Sequence, residues 1–291
     1  MTLCLLSACS PGTATPIPSP SPTSGIAKGP VTTPSSPAAT NAHVFVIVME
    51  NRSYDQAMAG GYTAQLAAQY SVATNYHGVS HPSLPNYLAL TSGTTWGIAD
   101  DGWHGLPAGG LGAQLTKAGI PWRAYMEGMS ASCMKSGYPY ALKHDPFPYY
   151  GSACPEQIVP FSQFEQDMAG AVPNFVWITP DLCHDGHDCS TKVADAWLLQ
   201  TVPKILSTSA WKNGGVLFIT WDEGEDSANH VATLVIHPGT IAHTSARPYD
   251  HYSLLASIED RLGVQRLGEA AHATAMDDLL MGFPRLTPVG G

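Results

Sequence analysis

Two acidic motifs and one hydroxyl motif carry the chemistry that can be read from this chain. HVFVIVMEN closes an apolar run on Glu50 and Asn51, and GGVLFITWDEG closes another on Asp222 and Glu223. Carboxylate and amide oxygens are hard ligands suited to a divalent cation. Three carboxylates gathered without a cation repel one another. Two such strand ends in one chain therefore favour a metal site over the alternative, independent turn or capping pairs. HPSLPNYLALTSG adds Ser83, with Pro85 and Asn86 following. Proline suits the first turn of a helix, so Ser83 lies at or just before a helix N-terminus, where an anion is favoured. Asn86, three residues on, can point its amide at the same spot. Ser83 as a plain N-cap is the alternative, and Ser80 is a competing hydroxyl without the Pro-Asn context. A cation beside a serine hydroxyl is a recipe for an activated nucleophile.

Other polar residues form a second set. PDLCHDGHDC contains Asp181, His184, Asp185, His187 and Asp188. It can supply a general acid or a second metal site, or be a solvated polar loop. His251 precedes a helical pattern and is either a further ligand or an ordinary histidine. Lys143 and His144 can hold a phosphate oxygen, or be a solvated pair. His81, beside the serine motif, joins Asp185, His251, Lys143 and His144 as second-site or substrate-binding candidates.

These residues need a frame. Short apolar runs at 44–49, 122–126, 174–178, 216–221 and 231–236 read as buried parallel strands. Helical patterns fall at 62–69, 85–91, 111–118, 161–168, 193–206 and 252–262, the fifth kinked or interrupted by Pro203. Alternating strands and helices predict an α/β fold, a mostly parallel sheet sandwiched between helices. In such sheets ligands bind beyond the carboxyl ends of strands, where Glu50 and Asp222 fall. The Pro-, Tyr- and Gly-rich stretch 138–160 reads as a long loop over the site.

A net charge of −10 with few basic residues argues against a nucleic-acid partner. Twelve His beside 13 Lys plus Arg make the net charge sensitive to pH between about 5 and 7. Residues 1–9 resemble a lipoprotein-type signal remnant, with Cys9 in a lipobox-like LSAC that would be lipidated; an ordinary apolar N-terminus is the alternative. Residues 10–41 are Pro/Ser/Thr-rich and read as a disordered tether, leaving 42–291 as one catalytic domain. An exported protein follows, a cell-surface lipoprotein or a secreted one, meeting the membrane only through the N-terminal lipid anchor. Its four domain cysteines suggest two disulfides. Three pairings are possible, and local loops favour Cys133–Cys154 and Cys183–Cys189. A metal-thiolate site is the alternative, though no CxxC pair is present.

VFVIVMENRSYDQ, ATNYHGVSHPSLPNYLALTSGT, KHDPFPYY, LFITWDEGE and DHYSLLASIEDRLG together resemble the bacterial phosphoesterase family. That family holds acid phosphatases and phospholipases C and belongs to the alkaline-phosphatase-like superfamily. The similarity runs from about His43 to Met281 and is strongest to the short secreted acid phosphatases, one type of which acts on phosphatidylinositol phosphate. Ser83-Leu84-Pro85-Asn86 and Gly93 also match the spacing of a Thr-Phe-Pro-Asn segment in nucleotide pyrophosphatases of that superfamily. The resemblance implies Ser83 as nucleophile and Asn86 as a contact to the phosphoryl oxygen. It implies Glu50, Asn51, Asp222 and Glu223 as metal ligands. Glu223 stands where a two-zinc enzyme has His, which implies one divalent cation rather than two.

The expected activity is metal-dependent hydrolysis of a phosphate monoester through a phosphoserine on Ser83, with His187 as the acid for the leaving alcohol. The substrate would be a small-molecule or phospholipid-headgroup phosphate ester. A phospholipase C-type phosphodiesterase and a non-catalytic phosphate-binding lipoprotein are the alternatives.

Overall fold

The computed structural model describes residues 42–130 and 132–282. The leader 1–9 with Cys9 and the tether 10–41 lie outside the described residues. Nine strands form one sheet in the order β4-β3-β5-β1-β6-β7-β2-β8, with β9 also pairing β2. The central strand β1 (His43–Met49) is parallel to β5 (Phe175–Thr179) on one side and β6 (Gly215–Trp221) on the other. Next to β5 come β3 (Trp122–Met126) and the edge strand β4 (Ile158–Pro160). Beyond β6 lie β7 (His230–Ile236), β2 (Ser71–His77), β8 (Thr244–Ser245) and β9 (Tyr249–Asp250).

Strands β1, β5 and β6 are apolar on both faces because helices cover both faces of a parallel sheet. The helices are α1 (Tyr54–Met58), α2 (Gly61–Gln69), α3 (Ser83–Ser92), α4 (Gly110–Lys117), α5 (Phe164–Ala169), α6 (Thr191–Ser207), α7 (Ser209–Lys212) and α8 (His251–Leu262). The edge strands have only two or three residues, which limits the unpaired backbone open to a neighbouring chain. Among the described residues no helix is long and apolar enough to cross a membrane.

Four local expectations change. Strand β7 runs antiparallel to β6 and β2 rather than parallel. Only eight residues join it to β6, too few for the crossover of a dozen or more that a parallel neighbour needs. Strand β2 was not expected. Its SVATNYH mixes polar and apolar residues, and its pairing to β7 is irregular between Ala73 and Tyr76. Helix α6 is not interrupted at Pro203, whose neighbours Val202 and Ile205 are buried against the core. Finally, 138–160 is not a loop lying over the site throughout: residues 144–150 are buried and Ile158–Pro160 joins the sheet.

Helix α3 places the nucleophile candidate. All ten of its residues are buried, as expected for a helix enclosed on every side. Gly93 ends it at φ +70°, and a Cβ there would meet the Leu267 carbonyl oxygen at 2.1 Å, so only glycine fits.

Candidate active site

Adjacent strands β1 and β6 deliver the two acidic motifs side by side. Met49 pairs with Trp221, and the Asp222 amide donates to the Met49 carbonyl at 3.0 Å. Glu50 and Asp222 therefore leave neighbouring strands at the same end of the sheet. Asn51 turns at φ +39°, a region that Asn tolerates better than most residues. Its amide donates to Asp222 Oδ1 at 3.3 Å. Helix α3 begins across from these strand ends. The Ser83 hydroxyl lies 3.1 Å from Glu50 Oε2 and 3.1 Å from Glu223 Oε1. One turn on, the Tyr87 hydroxyl donates to Glu50 Oε1. Ser83 and Tyr87 share a helix face at i, i+4 spacing and together address both oxygens of one carboxylate.

His144 lies under this group. Its ring stacks on Tyr87, with centroids 5.3 Å apart. Its Nε2 is 3.2 Å from Glu50 Oε2 and its Nδ1 is 3.4 Å from Asp185 Oδ2. Burial holds its pKa well below the usual histidine range, and the nearby Lys143 and His187 act the same way. Burial, followed by the charges of Asp222 and Asp185, pushes the Glu50 carboxyl well up. Asp222 is raised by burial and by Glu223, and Asp185 by burial more than by its neighbouring carboxylates.

A divalent cation fits these residues. Asn51 Oδ1 and Asp222 Oδ2 are buried yet accept no hydrogen bond among the described residues. Buried oxygens without donors are costly, and buried carboxylates that repel one another are costly again. A cation held by Glu50, Asn51, Asp222 and Glu223 would answer both.

Residues 59–265 match the Phosphoesterase family. The chain belongs to that family. It is 32% identical over 255 residues to a phosphatidylinositol-3-phosphatase of Mycobacterium tuberculosis, covering 82% of this chain and 83% of that one. It is 30% identical over 247 residues to an acid phosphatase of Aspergillus fumigatus, covering 77% of this chain but 55% of the relative. A phosphate-repressible acid phosphatase of Penicillium chrysogenum is 28% identical over 243 residues, 76% of this chain and 59% of that one. The chain thus spans little more than half the length of these fungal relatives. The fold is similar to that of an alkaline phosphatase superfamily protein from Vibrio parahaemolyticus, with a TM-score of 0.58 at 13% identity over 79% of this chain and 68% of that one. A lipoteichoic acid synthase of Listeria monocytogenes gives 0.60 at 9% identity, over 86% and 78%. The chain is a phosphoric ester hydrolase of the alkaline-phosphatase-like α/β fold.

Within this phosphoesterase the remaining candidates take distinct places. The Asn86 carboxamide is engaged with backbone: Oδ1 accepts from the Val79 and Ser80 amides at 2.9 and 3.0 Å, and Nδ2 donates to the Ser80 and Pro82 carbonyls at 2.9 and 3.2 Å. It shapes the loop entering α3. His81 bonds through Nδ1 to Glu223 Oε2. His251 is buried with both ring nitrogens in use, on the Asp222 carbonyl at 2.6 Å and the Tyr76 hydroxyl at 2.9 Å, so it sits behind the strand end. Burial lowers its pKa to about 4. His187 pairs with Asp188 at 2.7 Å, and its ring centroid is 5.8 Å from that of His144.

Cys133 bonds Cys154 and Cys183 bonds Cys189. The second bridge closes the loop that carries Asp185 and His187. On the outer side of that loop Glu127, Asp181 and His184 bring ligand atoms within 4.8 Å of one another. Glu127 lies just past the end of β3, so it also belongs to this rim of strand ends.

Two residues of the site escape sequence reasoning. Tyr87 reads as an ordinary core aromatic, although its i+4 spacing from Ser83 was a usable signal. Asp101 sits in an aperiodic segment with no local signal at all. Its Oδ1 accepts from the Leu84 amide at 3.0 Å, and its Oδ2 pairs with Lys143 Nζ at 2.9 Å. Burial disfavours the Lys143 charge, but the bond to Asp101 and the fields of Glu50, Asp101 and Asp222 outweigh it and raise its pKa.

Proposed function

We propose that this phosphoesterase hydrolyses phosphate monoesters, using one divalent cation and a phosphoserine on Ser83. The observation that carries the reading is the Ser83 hydroxyl between Glu50 and Glu223, 3.1 Å from each, at the start of a buried helix. Glu50, Asn51, Asp222 and Glu223 would hold the cation, which when bound lowers the pKa of a neighbouring hydroxyl and neutralises phosphoryl charge.

In the first step Ser83 Oγ forms a bond to phosphorus as the bond to the leaving oxygen breaks. Its proton has carboxylate acceptors in place at Glu50 and Glu223. Lys143 and the amides at the start of α3 hold non-bridging oxygens, and Asn86 holds the loop in the shape that presents Ser83. His187 gives a proton to the leaving alcohol. Water then attacks the phosphoserine, which releases phosphate and restores the Ser83 hydroxyl.

The names of the relatives suggest acid phosphatase chemistry, and the mycobacterial one suggests a phosphoinositide-type headgroup as a substrate class. Residues 42–291 are the catalytic domain in this reading, 10–41 a tether and 1–9 a signal remnant ending on a lipidated Cys9. Export suits the two disulfides. Mass spectrometry of the N-terminal peptide tests the anchor: an unmodified Cys9 in protein from the native host refutes it.

The direct test is Ser83→Ala. Phosphate release from p-nitrophenyl phosphate should fall by at least about a thousandfold, with the thermal unfolding midpoint nearly unchanged. Retention of more than about a tenth of wild-type turnover would rule out the covalent step. Phosphatidylcholine cleavage exceeding monoester cleavage would instead favour a phosphodiesterase.

A further inference from the structure

We infer that Asp101 is a built-in competitor for the phosphoryl subsite, and that substrate must displace its carboxylate to reach Ser83. This rests on the phosphatase reading above. Ser83 is 1% exposed, so an incoming phosphoryl group cannot reach it unless a covering group moves. The Asp101 carboxylate lies against Leu84, the residue next to Ser83. It already makes the two contacts a phosphoryl group would seek: the Leu84 N–H, next to the nucleophile, at 3.0 Å and the Lys143 ammonium at 2.9 Å. Lys143 also adjoins His144, whose Nε2 lies 3.2 Å from Glu50 Oε2. The Asp101 and Lys143 side chains are 30% and 22% exposed, so the pair reaches solvent while Ser83 does not.

Asp101 belongs to the segment joining α3 to α4, which holds on through apolar contacts elsewhere. Trp103 tilts against Tyr149, with centroids 4.7 Å apart, and Ile98 and Leu106 pack on the cluster of Leu84, Leu88, Tyr149 and Tyr150. The carboxylate can therefore leave by a side-chain movement while its segment stays docked. With Asp101 in place the site is not competent for phosphate, and apparent affinity falls by the fraction of time it is closed. Asp101 thus weakens product binding as much as substrate binding, and favours release of phosphate.

The test uses the full metal-loaded chain and inorganic phosphate. Phosphate is measured as a competitive inhibitor of p-nitrophenyl phosphate hydrolysis and by calorimetry. Asp101→Asn keeps the volume and can still accept from the Leu84 amide, but releases Lys143; Asp101→Ala removes both contacts. Each should bind phosphate about tenfold more tightly than wild type, with KM lowered in parallel and kcat not raised. In the Asp101→Ala, Lys143→Met double variant the tightening should vanish, because the freed ammonium is what captures the anion. Should Asp101→Ala fail to fold, Asp101→Asn carries the test alone. Phosphate binding unchanged or weakened in Asp101→Asn overturns the inference while leaving the phosphatase intact; it would mean that Asp101 orients Lys143 productively. A wild type that neither hydrolyses the monoester nor binds phosphate overturns both.

Discussion

Two acidic clusters sit on the same rim of the sheet, and they differ in what their oxygens have to bond to. Glu127, Asp181 and His184 are partly exposed and satisfy one another. Asp181 Oδ1 accepts from the Cys183 and His184 amides at 3.0 and 2.9 Å, while Glu127 Oε2 receives the Asp181 amide at 3.1 Å and His184 Nδ1 at 3.0 Å. Glu50, Asp222 and Glu223 are 0–4% exposed, and Asp222 Oδ2 and Asn51 Oδ1 accept no hydrogen bond among the described residues. Close spacing of ligand atoms is therefore a poor guide. The outer cluster is the tighter group of acids and imidazole, yet its Asp181 and Glu127 oxygens already have donors. Of the two, the inner cluster is the one with buried oxygens lacking a donor, which the proposed cation would satisfy.

The largest expected effect separates the two. Glu50→Gln and Asp222→Asn should each weaken binding of a divalent cation by at least about a hundredfold, with turnover falling to match, since each removes a charged ligand from a buried site. Asp181→Asn and His184→Ala should change the same affinity by less than about threefold, as for other partly exposed substitutions. Titration of the chelated protein with Mn²⁺, Zn²⁺ and Ca²⁺, followed by calorimetry, reads this directly. If the outer variants lose the metal and the inner ones keep it, the assignment is reversed.

A smaller effect concerns how the inner cluster is held. Tyr87 donates to Glu50 from a fully buried position and stacks on His144. Hydrogen bonds from such neighbours orient a metal ligand. Tyr87→Phe keeps the ring and its packing, so the unfolding midpoint should stay close to wild type. Cation affinity should nevertheless drop by about tenfold, and kcat with it at limiting metal. Recovery of kcat at saturating metal would show that the hydroxyl positions Glu50 and takes no part in the chemistry. Unchanged affinity would mean that Ser83 and His144 suffice to hold the carboxylate.

Much of the inner cluster was legible because it follows two strands whose apolar residues have no other use than burial. A seven-residue strand buried on both faces is hard to misread, and the residue after it is at the crevice by geometry. What could not be read is what depends on packing between distant segments. Asp101 meets Leu84 and Lys143 from residues 17 and 42 positions away, and no local pattern announces this. The burial of His144 was equally hidden, because the stretch around it is rich in Pro and Tyr and looks like surface loop. Asn86 was legible as important but not in its partners: the geometry turns its amide to the loop behind Ser83. The antiparallel course of β7 was within reach of the sequence, because the eight residues before it are too few for a crossover.

The smallest expected effect falls on the loop that the two clusters share. Asp181 and His184 group with Glu127, while Asp185 lies 3.4 Å from His144 and the His187 ring centroid 5.8 Å from that of His144, and Cys183–Cys189 closes the loop across six positions. A loop that short gains only modest stability from its bridge, about 2 kcal/mol by chain entropy. The double substitution Cys183→Ser, Cys189→Ser should therefore lower the unfolding midpoint by a few degrees and leave the protein folded. Inner-cluster metal affinity should hardly move, because none of Glu50, Asn51, Asp222 and Glu223 is on the loop. Turnover should fall by a few-fold, since a looser His187 meets the leaving group less often. The fall should be larger for alkyl phosphates, whose poor leaving alcohols need a proton, than for p-nitrophenyl phosphate, whose leaving group does not. Equal losses on both substrates would place the acid elsewhere, with His81, bonded to Glu223 and two residues from Ser83, the next residue to test.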